Sequence, residues 1–206
     1  PADTEHFQID LKTLEAMINE HTQAVIINSP NNPSGVVFSR ETLEKVAAIL
    51  TKKSEELGRP VYLISDEPYR ELVYDGVEVP WLPSIYKDTL VCYSYSKSLS
   101  LPGERIGYVY VPEKMTDAKE MFAAIAGASR VIGHVCPPTL IQRVVARCAY
   151  EKPDLEAYDV NRKLLYNGLK KIGYECASPD GAFYLFVKAP GGDGKAFSEK
   201  CKLKNL

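Results

Sequence analysis

The sequence predicts an α/β fold: a mostly parallel, helix-covered sheet followed by a smaller α+β segment. Three observations carry that prediction. Short β-branched runs alternate with stretches of helical periodicity through the first part of the chain, as in a parallel sheet with helical crossovers. Each of those runs breaks into a loop rich in proline, glycine, acid or hydroxyl residues, the place where open α/β sheets put their ligands. The pattern then changes at Tyr150 to Pro153, where a helical stretch stops and an α+β tail begins. We therefore expect two units, 1–149 and 150–206.

The first helix is expected over Phe7 to Asn19, with Leu11, Leu14, Ala16, Met17 and Ile18 apolar and Asp10 as its cap. Ala24 to Ile27 reads as a buried parallel strand. It ends in Asn28-Ser-Pro-Asn-Asn-Pro-Ser-Gly35, a rigid loop. Ser39 precedes a helix over Glu41 to Leu57 whose inner face is Leu43, Val46, Ala47, Ile49 and Leu50, and Gly58 closes it. Val61 to Ile64 is the next strand. It runs into Ser65-Asp66-Glu67-Pro68-Tyr69, where Asp66 reads equally well as a ligand-edge acid or as the cap of a short helix over Pro68 to Val73. Asp75-Gly76 marks a turn, and Trp81 to Lys87 an irregular connection.

Thr89 to Tyr93 is a buried strand that presents Ser94, Ser96 and Lys97 at its end. Pro102-Gly103 turns the chain into an antiparallel run, Arg105 to Val111, in which Gly107 signals a close approach to backbone. Helices are expected over Met115 to Ile132, Leu140 to Tyr150 and Leu155 to Ile172. Strands are expected over Tyr174 to Ala177 and Ala182 to Val187, joined by a tight turn at Ser178-Pro179-Asp180-Gly181. A flexible loop over 191–194 and a last helix from Ala196 to Lys202 complete the chain.

Composition limits the chemistry. The 206 residues carry a formal net charge of −2 with acids and bases interleaved, so no basic surface for nucleic acid is indicated. No apolar run approaches the ~20 residues that span a bilayer. The five cysteines are scattered and form no C-x-x-C pair, as in a reducing compartment, and the three histidines lack metal-ligand spacing. No metal site and no membrane contact are expected. An isolated lysine is most often a solvated surface group. Ser94-Tyr95-Ser96-Lys97 also matches the S-x-x-K acylation motif, but its companion S-D-N and K-T-G motifs do not occur.

What distinguishes Lys97 is its company. An amine at a strand end, among hydroxyls and with Arg105 eight residues on, suits a phosphorylated aldehyde: the amine condenses with the carbonyl while hydroxyls and guanidinium hold the phosphate. Asn28-Ser-Pro-Asn-Asn-Pro-Ser-Gly35, Asp66-Glu-Pro-Tyr69, Ser94-Tyr-Ser-Lys97 and Gly103-Glu-Arg-Ile-Gly107 follow one another in order. Together they resemble the motif set of the fold-type I pyridoxal-phosphate enzymes of the aspartate-aminotransferase-like class I/II family.

The resemblance implies that 1–149 is the C-terminal portion of the large, cofactor-binding domain and 150–206 part of the small domain, with Gly181-Ala-Phe-Tyr184 a small-domain strand. It implies pyridoxal 5'-phosphate as cofactor. Lys97 would form the internal aldimine and then act as general base and acid. Asp66 would pair with the pyridine nitrogen, and Tyr69 and Asn32 would bond the phenolic oxygen. Ser94, Ser96 and Arg105 would hold the phosphate, with Gly107 leaving room behind them. The implied reaction is ping-pong transfer of an amino group from an L-amino acid to a 2-oxo acid, in a cytoplasmic homodimer.

In the family, a phosphate loop and a ring-stacking aromatic lie upstream of the first motif, and an arginine for the substrate carboxylate lies downstream of the last. The chain therefore reads as the middle of a longer enzyme and is expected to be inactive alone, with unpaired sheet edges and open apolar faces. A C–S β-lyase or an aminocyclopropane-carboxylate-synthase-like enzyme would share every motif above. A transcription regulator with an aminotransferase-like sensor domain would in addition show a winged-helix segment, and none is seen. A plain α/β module would need the ordered motifs to coincide by chance.

Overall fold

A computed structural model describes residues 6–206. Its elements follow the expected order: α1 (Leu11–Met17), β1 (Ala24–Asn28), α2 (Arg40–Leu57), β2 (Tyr62–Asp66), β3 (Thr89–Ser94), the single-turn α3 (Tyr95–Ser98), β4 (Gly107–Tyr110), α4 (Ala118–Val131), α5 (Thr139–Cys148), α6 (Leu155–Lys171) and α7 (Gly194–Lys202). The sheet order is β1-β2-β3-β4, with β1, β2 and β3 parallel and β4 antiparallel to β3.

Local chemistry sets the helix boundaries. The Asp10 carboxylate accepts the Thr13 amide and starts α1 at Leu11, so residues 7–10 lie outside the helix and Phe7 takes a positive φ. Ser39 accepts the Thr42 amide to start α2. Gly58, at φ 65°, ends α2 in the left-handed conformation that glycine adopts at least cost. Leu43, Val46, Ala47 and Leu50 recur on one face of α2 and pack with Ile27, Val61, Leu63, Leu82 and Tyr86 into the main core.

That core covers one face of the sheet. Ile27 of β1 is only 7% exposed, whereas its neighbour Ile26, pointing the opposite way, is 70% exposed. The apolar run of β1 is thus not buried on both sides as its composition suggests. The helices after β4 are more open still: α4, α6 and α7 bury no side chain, and Phe122, Leu164 and Leu165 lie exposed.

Four expectations are corrected. Arg105 lies outside β4, in the turn before it, at φ 50°. Residues 68–71 form a turn without a helix, and Asp66, the last residue of β2, caps nothing. The paired strands expected over 174–187 are absent. Cys176 and Val187 make one isolated bridge, and Gly181 makes another with Val73. The tight turn expected at residues 178–181 is absent as well. Its polar groups are used over longer distances: the Asp180 carboxylate accepts the Val37 amide, and its carbonyl accepts the Tyr74 amide. Tertiary partners have replaced the hairpin ladder, so Gly181-Ala-Phe-Tyr184 is a turn, with Ala182 at φ 57°, rather than a strand.

Candidate active site

The parallel register builds the site. Asn28 at the end of β1 stands opposite Asp66 at the end of β2, and Asp66 stands opposite Cys92 of β3. Three carboxyl-terminal strand ends therefore lie side by side, each carrying one of the loops singled out in the sequence.

Asn28 joins the first two loops. Its side-chain nitrogen donates to the Asp66 carboxylate at 3.2 Å and to the Asp66 carbonyl at 2.9 Å, and its side-chain oxygen accepts the Asn32 amide at 2.7 Å. One amide thus orients both an acid and a neighbouring asparagine. Among the described residues Asp66 has no ion-pair partner. Burial, and secondarily the charge of Glu67, hold its carboxyl above the usual range. Glu67 itself is buried. It accepts the Ser65 hydroxyl at 2.6 Å and the Arg70 Nε–H at 2.5 Å, and Arg70 also donates to the Val79 and Pro80 carbonyls.

Lys97 sits in α3, whose first turn is capped by Ser94 accepting the Ser96 amide. Its Nζ lies 5.6 Å from the ring centre of Tyr69 and 5.0 Å from that of Phe183, and it has no hydrogen bond or ion pair among the described residues. An amine over two aromatic faces, with no acid to hold it, is open to condensation with a carbonyl. Tyr69 is buried, and its hydroxyl meets that of Tyr184 at 2.6 Å. Burial, then the contact with Tyr184, push its ionisation well above the ordinary tyrosine range, while the nearby Asn32 side chain pulls the other way. Tyr69 therefore remains a neutral donor at physiological pH.

The Ser94 hydroxyl donates to that of Ser96 at 2.6 Å, so two hydroxyls cluster beside Lys97. Arg105 does not join them. Its backbone lies close, since Tyr95 N–H donates to the Ile106 carbonyl, but its guanidinium is exposed and donates to the Pro102 carbonyl at 2.7 Å. Gly107 stands opposite Ser94, where a Cβ would collide with the Tyr93 carbonyl oxygen and press on the Ser94 Cα. The room it leaves is room for β3 backbone beneath the hydroxyls.

Three residues of this arrangement lay outside the site read from sequence: Asn28, Phe183 and Tyr184. Asn28 was visible as the first residue of its loop motif. Phe183 and Tyr184 belong to a segment read as a strand, and only the fold brings them to Tyr69, Tyr184 from 115 residues along the chain.

Residues 1–205 match the family of aminotransferase class I and II. The chain belongs to that family. This aminotransferase-family chain is 29% identical to aromatic-amino-acid aminotransferase 2 of Thermococcus litoralis over 205 residues, which is 94% of the chain and 49% of that protein. It is 33% identical to the aspartate aminotransferase of Geobacillus stearothermophilus, over 89% of the chain and 46% of the relative. Among solved structures, an amino transferase from Eubacterium rectale superposes with a TM-score of 0.97 at 59% identity, covering 100% of the chain and 52% of that protein. The chain thus spans about half the length of the relatives it matches.

The residues present fit pyridoxal phosphate. The site offers an unpaired amine for its aldehyde and an unpaired, half-buried carboxylate for its ring nitrogen. A phenol with an amide is available for its phenolic oxygen, and clustered hydroxyls for its phosphate.

Proposed function

We propose that this chain carries the cofactor-binding part of a pyridoxal-phosphate-dependent transaminase that moves an amino group from an L-amino acid to a 2-oxo acid in ping-pong fashion. One observation carries the reading: the parallel register sets the Lys97, Asp66 and Tyr69–Asn32 loops at adjoining strand ends. The matched relatives are named aminotransferases, which favours amino-group transfer over elimination.

Bound pyridoxal phosphate supplies an aldehyde and an electron sink. The chain's residues do the rest. Lys97 would present its amine to the aldehyde, then take the proton from the substrate α-carbon and deliver it to the former aldehyde carbon. Asp66, oriented by Asn28, holds negative charge where a protonated ring nitrogen needs it. Tyr69 and Asn32 bond the phenolic oxygen. Ser94, Ser96 and Arg105 would hold the phosphate, although the Arg105 guanidinium here donates to the Pro102 carbonyl.

We infer the unit boundaries 1–149 and 150–206, a homodimer and a cytoplasmic location from the same family resemblance. The five free cysteines support a reducing compartment. Among the described residues no helix is long and apolar enough to cross a membrane. Since the chain spans about half the length of its relatives, we further infer that it does not turn over substrate by itself.

The test is chemical trapping. Incubation with pyridoxal phosphate, borohydride reduction, digestion and mass spectrometry are expected to place one pyridoxyl group on Lys97, and Lys97→Ala to abolish it. Adducts spread over surface lysines, with none at Lys97, sink the reading. Amino-group transfer to 2-oxoglutarate by the same preparation sinks the inference of inactivity.

A further inference from the structure

Tyr184 is held at Tyr69 by a tightly built crossing of chain segments. The Gly181 amide donates to the Gly35 carbonyl and the Ala182 amide to the Leu72 carbonyl, each at 2.8 Å, and the Tyr74 hydroxyl donates to the Ala182 carbonyl at 2.5 Å. Gly35, at φ 75°, has no room for a Cβ against Pro179 and the Tyr184 carbonyl. Gly181 has none against Leu72 and Pro30. Two glycines at the crossing thus let the loop that carries Tyr184 lie directly on the loops that carry Asn32 and Tyr69. The two tyrosine rings meet edge to face, 5.6 Å apart at 82°.

A phenol has one hydrogen to donate and lone pairs to accept. If Tyr69 gives its hydrogen to Tyr184, it has none for a ligand. If Tyr184 donates to the Tyr69 oxygen, the Tyr69 hydrogen is free to point into the site, and accepting that hydrogen bond makes Tyr69 a stronger donor. We propose that Tyr184 is a positioning residue which donates to Tyr69 and so directs the Tyr69 hydrogen onto the phenolic oxygen of bound pyridoxal phosphate. This rests on the cofactor reading above and adds to it the residue that sets the direction and strength of the Tyr69 bond.

The consequence is spectroscopic. A weaker bond from Tyr69 leaves more negative charge on the ligand's phenolic oxygen, which holds the neighbouring proton to higher pH. In a pH titration of the visible absorption of pyridoxal phosphate bound to the protein, Tyr184→Phe is expected to move the midpoint upward by roughly half a pH unit, the scale of one hydrogen bond. In a Tyr69→Phe background the same substitution is expected to move nothing. If Tyr184→Phe fails to fold, 3-fluorotyrosine at position 184 keeps the ring and strengthens the donor, and the midpoint is expected to fall. An unmoved midpoint in a folded, ligand-binding variant, or equal shifts with and without the Tyr69 hydroxyl, overturns the role of Tyr184 and leaves the cofactor reading standing. Absence of any absorbing complex with the wild-type protein overturns both.

Discussion

A carboxyl group partly withdrawn from water, with no cation beside it, favours its protonated form, and Asp66 is in that position. The fold therefore stabilises the acid form. That contribution is complete below the ordinary carboxylate range and is lost as pH rises through the elevated value, so at neutral pH the ionised Asp66 is a burden on the ligand-free protein. Asp66→Asn keeps the shape and can still accept from the Asn28 amide. It is expected to raise the thermal midpoint of the ligand-free protein at pH 7, with the gain shrinking on acidification. The same substitution is expected to weaken binding of pyridoxal phosphate, since a neutral amide cannot pair with a protonated ring nitrogen. Calorimetry at several pH values and a binding titration check the two halves, and a variant less stable at pH 7 contradicts the argument. Glu67, one residue on, shows the opposite solution: it is buried too, but Arg70 neutralises it and Ser65 satisfies its second oxygen. Asp66 and Glu67 are adjacent acids in the sequence, and only their partners separate their roles.

Elements whose signals are local were legible. α2 shows its cap, its 3.6-residue apolar spacing and its terminal glycine, and each acts within a few residues along the chain. β3 and β4 were legible in the same way, including Gly107. Its reason is now physical: this position must bring β4 against the carbonyl of Tyr93 so that Ser94 can end β3 and start α3. Gly107→Ala is expected to cost roughly 1–3 kcal/mol by overpacking. It is also expected to loosen the β3–β4 pairing, seen as a lower urea midpoint and faster amide exchange at Tyr93 and Tyr108, the hydrogen-bonded pair beside Gly107. Unchanged exchange there refutes this account. The segment 174–187 was misread because its alternation of turn residues and β-branched or aromatic residues suits a hairpin. Its carbonyls and amides found better partners in residues 35–37 and 72–74, which no window on the sequence can show.

At the scale of the molecule, Arg162 links α6 to the site's outer wall. Its side chain is 11% exposed, and it donates to Asp75 and Asp159 at 2.6 Å each and to the Pro179 carbonyl at 3.1 Å. Its guanidinium also lies over the ring of Tyr74, 4.6 Å from the centroid. One cation thus pins α6, the turn at Asp75 and the loop that leads to Tyr184. Arg162→Ala is expected to leave the more exposed Lys163 as the cation facing both Asp75 and Asp159, and to free the loop. Hydrogen exchange over residues 178–187 should then rise several-fold while α2 is unaffected. Uniform protection in the variant would show that the glycine crossing holds the loop without it.

Legible in the sequence alone were the order of elements through α6, the cap and end of α2, the parallel character of the first three strands and the placing of Lys97, Asp66, Tyr69, Asn32, Ser94 and Ser96 at or just beyond strand ends. These follow from side-chain period, backbone preference and short-range hydrogen bonds, all written within a few positions of each other. The tertiary structure alone decided that Asn28 orients Asp66, that Arg105 turns to the Pro102 carbonyl, and that Phe183 and Tyr184 reach Lys97 and Tyr69. Those outcomes depend on sheet register and on two glycines that allow backbones to cross. Each is a relation between segments distant in the chain, settled only when their polar groups compete for partners in space.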